Sequence, residues 1–288
     1  MSNTFKGVSN MEILEIIKDA FIFPTNNLEK LAIYIVLTFV VGLLMGGGVI
    51  LAAFSTMDAS YLAIIGAILL ILGIILALII SGYQLGIMKS GIDLDDEAPS
   101  FDWKNDLING IKLLVVSIVY FIIPAIIVLI VGLITNVPGN VVNLINEAAV
   151  TPANATAMAN STGISLDAVS QSTMAAFGTS IAITALVAFV VFIIFAFIQT
   201  MGQARLANTG SLGEALNIPE AAKDLTRIGI GKVIAVILLV VIIVAVINAI
   251  LGYLYGQVSQ LSILSIIVTP YLAFFTQRAS GLLYSDIA

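Results

Sequence analysis

The chain has 288 residues, 60% of them hydrophobic and only 10% charged, with a mean hydropathy of +1.14. Soluble domains carry about a quarter charged residues, so composition excludes a water-soluble globular fold. The net charge of −6 argues against nucleic acid as a partner, and the absence of cysteine and histidine removes thiolate chemistry, disulfides, haem attachment and nearly every zinc site.

In chain order, the first predicted element is a short amphipathic helix over residues 12–21. Ile13, Leu14, Ile17 and Phe21 share one face, and Glu12, Glu15 and Asp19 lie opposite. Uncharged runs follow at 31–57, 59–88, 113–146, 168–204 and 233–277. A membrane-crossing helix needs about 20 apolar residues, so the first four runs hold one span each and the last holds two. The predicted spans are Leu31–Phe54, Tyr61–Gly82, Ile111–Ile134, Thr179–Ile198, Val233–Leu251 and Val258–Phe275, with a turn at Gly252–Ser259 joining the last two. The first span follows 30 residues of chain and is long enough to remain as an anchor.

A second amphipathic stretch precedes span three, with Phe101, Trp103, Leu107, Ile108 and Ile111 alternating with Asp102, Lys104, Asp106 and Asn109, and Ser100 as its cap. A third precedes span five, with Ala221, Leu225 and Ile228 against Glu220, Lys223, Asp224 and Arg227. It is introduced by the Ser211–Glu214 capping box and by Pro219. The fold class expected is therefore all-α: a polytopic helical bundle of six transmembrane helices, arranged as three hairpins, each led by a cytoplasmic interfacial amphipathic helix. Residues 1–288 make a single six-span membrane domain, with 135–178 as an extracytoplasmic loop.

Orientation follows from counting. All 11 basic residues (Lys6, Lys18, Lys30, Lys89, Lys104, Lys112, Arg205, Lys223, Arg227, Lys232 and Arg278) flank the spans on one side, and the connections opposite have none. The positive-inside rule then puts both termini in the cytoplasm of a multi-pass cell-membrane protein.

Beyond Lys112 at the first turn of span three, the spans hold no charge. Pro124 and Pro270 fall within spans three and six, where they free backbone carbonyls. With Tyr120 and Asn248 they are the candidate cavity-lining residues. Asn248 is the costliest of these to bury and is expected to bond a neighbouring helix. Gly42-x-x-x-Gly46, Gly82-x-x-x-Gly86 and Gly252-x-x-x-Gly256 would let helices approach closely.

Asp93, Asp95, Asp96 and Glu97 form an acidic loop whose spacing fits no known cation motif, so a solvated loop is expected in preference to a metal site. Asn154-Ala-Thr156 and Asn160-Ser-Thr162 are glycosylation sequons on the outer side. No catalytic, cofactor-binding or metal-ligating residues can be assigned, and no cofactor is expected. Membrane lipids are the expected partners, with a homo-oligomer or an unnamed membrane partner left open.

Ser81-Gly82-Tyr83-Gln84-Leu85-Gly86, then Gly91, Pro99-Ser-Phe101, Trp103 and Tyr120-x-x-x-Pro124, resemble a family catalogued as domain of unknown function 4013. Ala204-Arg205-Leu-Ala207 with Gly210-Ser-Leu-Gly-Glu214-Ala215 is similar to the family's second signature. The resemblance covers roughly residues 10–285 and implies six spans, an archaeal source and a distant likeness to the membrane domains of glycerophosphodiesterases. It implies no activity.

The function expected is that of a non-enzymatic membrane protein, one that handles lipid-like or amphiphilic molecules or acts as a scaffold. The alternatives are a transporter or channel for a small neutral or hydrophobic solute, and a metal-dependent lipid-modifying enzyme using the acidic loop.

Overall fold

Within a bilayer every backbone amide must find its partner inside the protein, and a chain this apolar meets the requirement with helices. The computed structural model describes residues 11–55, 60–149 and 169–288 and contains ten α-helices and no strand among them. In order these are α1 (Ile13–Asn26), α2 (Leu28–Ala53), α3 (Tyr61–Ile92), α4 (Trp103–Ile134), α5 (Val137–Ala148), α6 (Gln171–Thr209), α7 (Leu212–Ala215), α8 (Ile218–Ile228), α9 (Ile230–Gln257) and α10 (Ser265–Tyr284). A 3-10 helix, Ser259–Leu264, leads into α10. Six of these segments are long and apolar enough to cross a membrane, so the protein is an all-α, multi-pass membrane protein.

The chain divides into two compact units, Met1–Ser117 with Phe197–Ala288, and Ile118–Ala196. In the first, α3 packs against α2 and α10, and α1 lies on α10. Its core gathers Phe23, Leu31, Tyr34, Ile80, Tyr83, Ile87, Ala98 and Phe274. Glycines set two of the crossings. A Cβ on Gly82 would come 1.8 Å from the Asp106 carbonyl oxygen on α4, and one on Gly281 would come 2.1 Å from that of Met88 on α3. Of the three glycine pairs singled out above, only Gly82 and Gly86 serve contacts among the described residues: Gly86 sits under Pro99, whereas a Cβ on Gly42, Gly46, Gly252 or Gly256 would meet none of them within 4 Å.

In the second unit, α5 returns toward the start of α6. Thr135 and Thr184 hydroxyls meet at 3.0 Å, Phe121 and Phe192 pack ring to ring at 5.5 Å, and the Glu147 carboxylate accepts from the Ser170 backbone N–H and the Thr173 hydroxyl. Those two donors hold the Glu147 carboxyl below its ordinary range, the Thr173 hydroxyl contributing most.

The helices outrun the predicted spans, chiefly toward the basic side. α3 continues from Gly82 to Ile92, α6 to Thr209 and α10 to Tyr284. Charge marks where lipid should end, but a helix does not stop there, because its hydrogen bonds remain available in water. Four local expectations change. Residues 137–148, read as loop, form α5. The turn before α10 falls at Val258 and the 3-10 helix, because α9 holds its hydrogen bonding through Gln257.

The second amphipathic stretch has no helix of its own. Its residues from Trp103 on are the first turns of α4, and Asp102, not Ser100, caps them by accepting from the Asn105 N–H at 3.2 Å. Ser211 caps only the single turn α7, while Asn217 caps α8.

Candidate functional site

Residue by residue, the polar groups of the first unit converge where the helices overrun the spans, and two carry most of the bonding. Arg278, on the last turns of α10, is 1% exposed. Its Nε donates to Asp19 Oδ1 of α1 at 2.8 Å. Its Nη1 donates to the carbonyls of Ser90, at 3.1 Å, and Asp95, and its Nη2 reaches Asp96 Oδ1 at 3.4 Å. The guanidinium also lies 4.5 Å from the Phe23 ring centroid. One side chain thus ties α1, α3 and the α3–α4 loop to α10.

Asn27 completes that joint from the elbow between α1 and α2. Its Nδ2 donates to the Phe23 and Asp96 carbonyls, each at 3.0 Å, and its Oδ1 accepts from the Ala98 N–H at 2.7 Å.

Asp224 of α8, also 1% exposed, is the second hub. Oδ2 accepts from Arg205 Nη1 at 2.9 Å and from the Tyr284 hydroxyl at 3.2 Å, and Oδ1 accepts from Arg227 Nη1 at 2.7 Å. Arg205 also bonds the Glu214 carboxylate and donates through Nε to the Glu214 carbonyl at 3.1 Å. Lys232 pairs with Asp286, and Lys112 donates to the Gly210 carbonyl at 2.8 Å. On the rim of α8, Lys223 and Arg227 hold the Glu220 carboxyl below its usual value, the Lys223 hydrogen bond being the largest cause.

Buried ions persist when they are paired and hydrogen-bonded, and both hubs are. The arrangement is a clamp.

Beside the Arg278 joint lie two adjoining hollows, one on each side of α1. The polar one, about 410 Å³, is lined by Met11, Glu15, Lys18, Asp19, Ile22, Phe23, Asn26 and Asp96. The apolar one, about 680 Å³, runs between Leu14, Ile17 and Phe21 of α1 and Ile242, Ile243, Val246 and Ile247 of α9. Lys18 and Ile22 line both. The helical period explains the division. Positions 15, 19, 22 and 26 recur at spacings of four and three on one stripe, and 14, 17 and 21 do so on the next.

The sequence-predicted residues fall as follows. Tyr120 and Pro124 are buried in the second unit. Pro270 lines a separate hollow of about 370 Å³ with Thr38, Phe39 and Thr269, among others. Asn248 is exposed, and its amide donates to Val244 of its own helix at 2.8 Å, not to a neighbouring helix as expected. Asn154 and Asn160 lie outside the described residues.

The acidic loop is spent on local work. Asp93 pairs with Lys89 at 3.1 Å, Asp95 accepts from the Glu97 N–H, and Asp96 faces Arg278. No group of three or more carboxylates able to hold a metal occurs among the described residues. Sequence reasoning missed Asn27, Arg278 and Asp224 as organisers. Asp224 had a signal, since it stands three residues from Ala221, which the amphipathic period places on the apolar stripe of that helix.

Fold and clamp together define an all-α multi-pass membrane protein whose joined ends are held by buried ion pairs. The family model described as "Protein of unknown function (DUF4013)" matches residues 65–256, and the chain belongs to that family. No curated protein and no solved structure matches it. The motifs that resemble the family gain a physical meaning here: Gly82 makes the α3–α4 crossing, Tyr83 stacks on Phe101 at 3.7 Å while its hydroxyl donates to Pro99, and Arg205 grips Glu214.

Proposed function

We propose that this protein is a non-enzymatic membrane protein that seats an amphiphile astride α1, on the cytoplasmic leaflet, with both termini in the cytoplasm. The observation that carries the reading is the pair of hollows meeting at Lys18 and Ile22, one polar and one apolar. Their volumes fall in the range of small-ligand sites, about 300–1,000 Å³.

An acyl chain gains little by leaving lipid for another apolar surface, so selection rests on the head group. Glu15, Asp19 and Asp96 against Lys18 give the polar hollow a surplus of carboxylate, even with Arg278 bonded to two of the three. That balance favours a head group bearing an ammonium, with Lys18 placed for a phosphate or hydroxyl, over a purely anionic one. A solute path would instead call for a hollow shared by Pro270 and Asn248, and the hollow at Pro270 is not lined by Asn248.

Native mass spectrometry of the protein taken from its membrane in mild detergent tests the reading. Retained lipid enriched in ammonium head groups is expected. Val246→Trp, which fills the apolar hollow, and Glu15→Gln, which keeps the acceptor for the Glu12 N–H, should each reduce retention. A wild-type protein that arrives bare, or variants that retain as much as wild type, would overturn it.

A further inference from the structure

α9 turns one face to α1 through Ile242, Ile243, Val246 and Ile247 and buries another at Val233, Val236 and Val240. A third face is covered by none of the described residues of its own unit. Ile234, Leu238, Val241, Ala245, Asn248 and Gly252 are all exposed, and their spacing runs four, three, four, three, four. That is the heptad seam of a left-handed helix pair, and the 28 residues of α9 sustain it over most of the helix.

That spacing belongs to any helix face, and Asn248 is what sets this one apart. It sits well inside a helix whose apolar window is the most hydropathic of the six. The bond to Val244 uses one N–H of its amide and leaves the second N–H and the Oδ1 without a partner among the described residues. Acyl chains offer neither donor nor acceptor, so the outward asparagine points to a polar partner in the membrane. Gly252, with nothing within 4 Å of where its Cβ would be, and Ala245 allow a second backbone to come close on either side of it.

We propose that α9 is the seam of a homodimer, in which Asn248 of each copy bonds Asn248 of the other. A second copy is the occupant that fits best. Two copies inserted in the same membrane run parallel, so a twofold axis brings each seam position against itself. Only then does the lone asparagine of the stripe meet an asparagine, and a single polar residue at such a position fixes register and favours two strands. The face is distinct from the one that lines the apolar hollow, so the inference stands apart from the amphiphile reading.

The chain has no cysteine, which makes single-cysteine crosslinking in the native membrane unambiguous. Ala245→Cys should give an oxidised dimer. Ile250→Cys, exposed on the opposite side of α9, should not. Asn248→Leu in the Ala245→Cys background should weaken the dimer about three- to twentyfold, the worth of one interhelical hydrogen bond in lipid. Since residue 248 is exposed, that change leaves the fold of one chain intact, which the melting temperature of the dissociated protein checks. A single-chain mass in lipid nanodiscs, or equal crosslinking at 245 and 250, would overturn the proposal and leave lipid as the only cover of this face.

Discussion

Arg278 concentrates the physical problem of this fold into one side chain. A guanidinium at 1% exposure is tolerable because two carboxylates, two carbonyls and an aromatic face receive it. Lysine has the charge without the fork, so Arg278→Lys should leave backbone carbonyls of Ser90 and Asp95 underbonded. The expected loss is about 3 kcal/mol of stability, read as a lower melting temperature in detergent. A variant that melts with wild type would mean the joint is not held by this residue. From sequence, Arg278 was simply the basic residue after the last apolar run. Its partners come from positions 19, 90, 95 and 96, and no local pattern links those to 278.

At the scale of elements, close packing and capping decide what patterning leaves open. The crossing of α3 and α10 requires that residue 281 have no side chain. Gly281→Ala should therefore force the helices apart and cost about 1–3 kcal/mol, again visible as a melting shift. Reduced by less than a degree or two, the crossing would have to be softer than its geometry implies.

α8 supplies a pH test. Because Lys223 and Arg227 lower the folded-state pKa of Glu220, its contribution is present above the ordinary glutamate value of about 4.3 and is lost as pH falls through the lowered value. Wild type should accordingly lose melting temperature more steeply than Glu220→Gln between about pH 5 and pH 3, the two converging at the acid end. Parallel curves would show that the exposed pair contributes nothing. The amphipathic period predicted α1 and α8 but misjudged their surroundings. On α1, Ile16, Ala20, Phe23 and Pro24 are the buried positions, while Leu14 and Phe21 of the predicted stripe remain exposed beside the apolar hollow.

For the whole molecule, orientation is the first matter to test. Ala288→Cys and Thr173→Cys, each the single cysteine of its chain, should differ in sealed cells. A membrane-impermeant thiol reagent is expected to label 173 and spare 288. The reverse pattern would invert the protein and move the amphiphile seat to the other leaflet.

The six long helices were legible because hydrocarbon imposes one simple condition, a run of about 20 apolar residues, which any window along the chain can test. The side on which charge collects was legible for the same reason: it is a count. What the tertiary structure alone decided is which charges meet. The clamp at Arg278 and Asp224 joins residues separated by up to 259 positions, and ion pairing has no period by which sequence could reveal it. The two hollows along α1 likewise arise from where α9 and the α3–α4 loop pass it, which is a property of packing and not of any one segment.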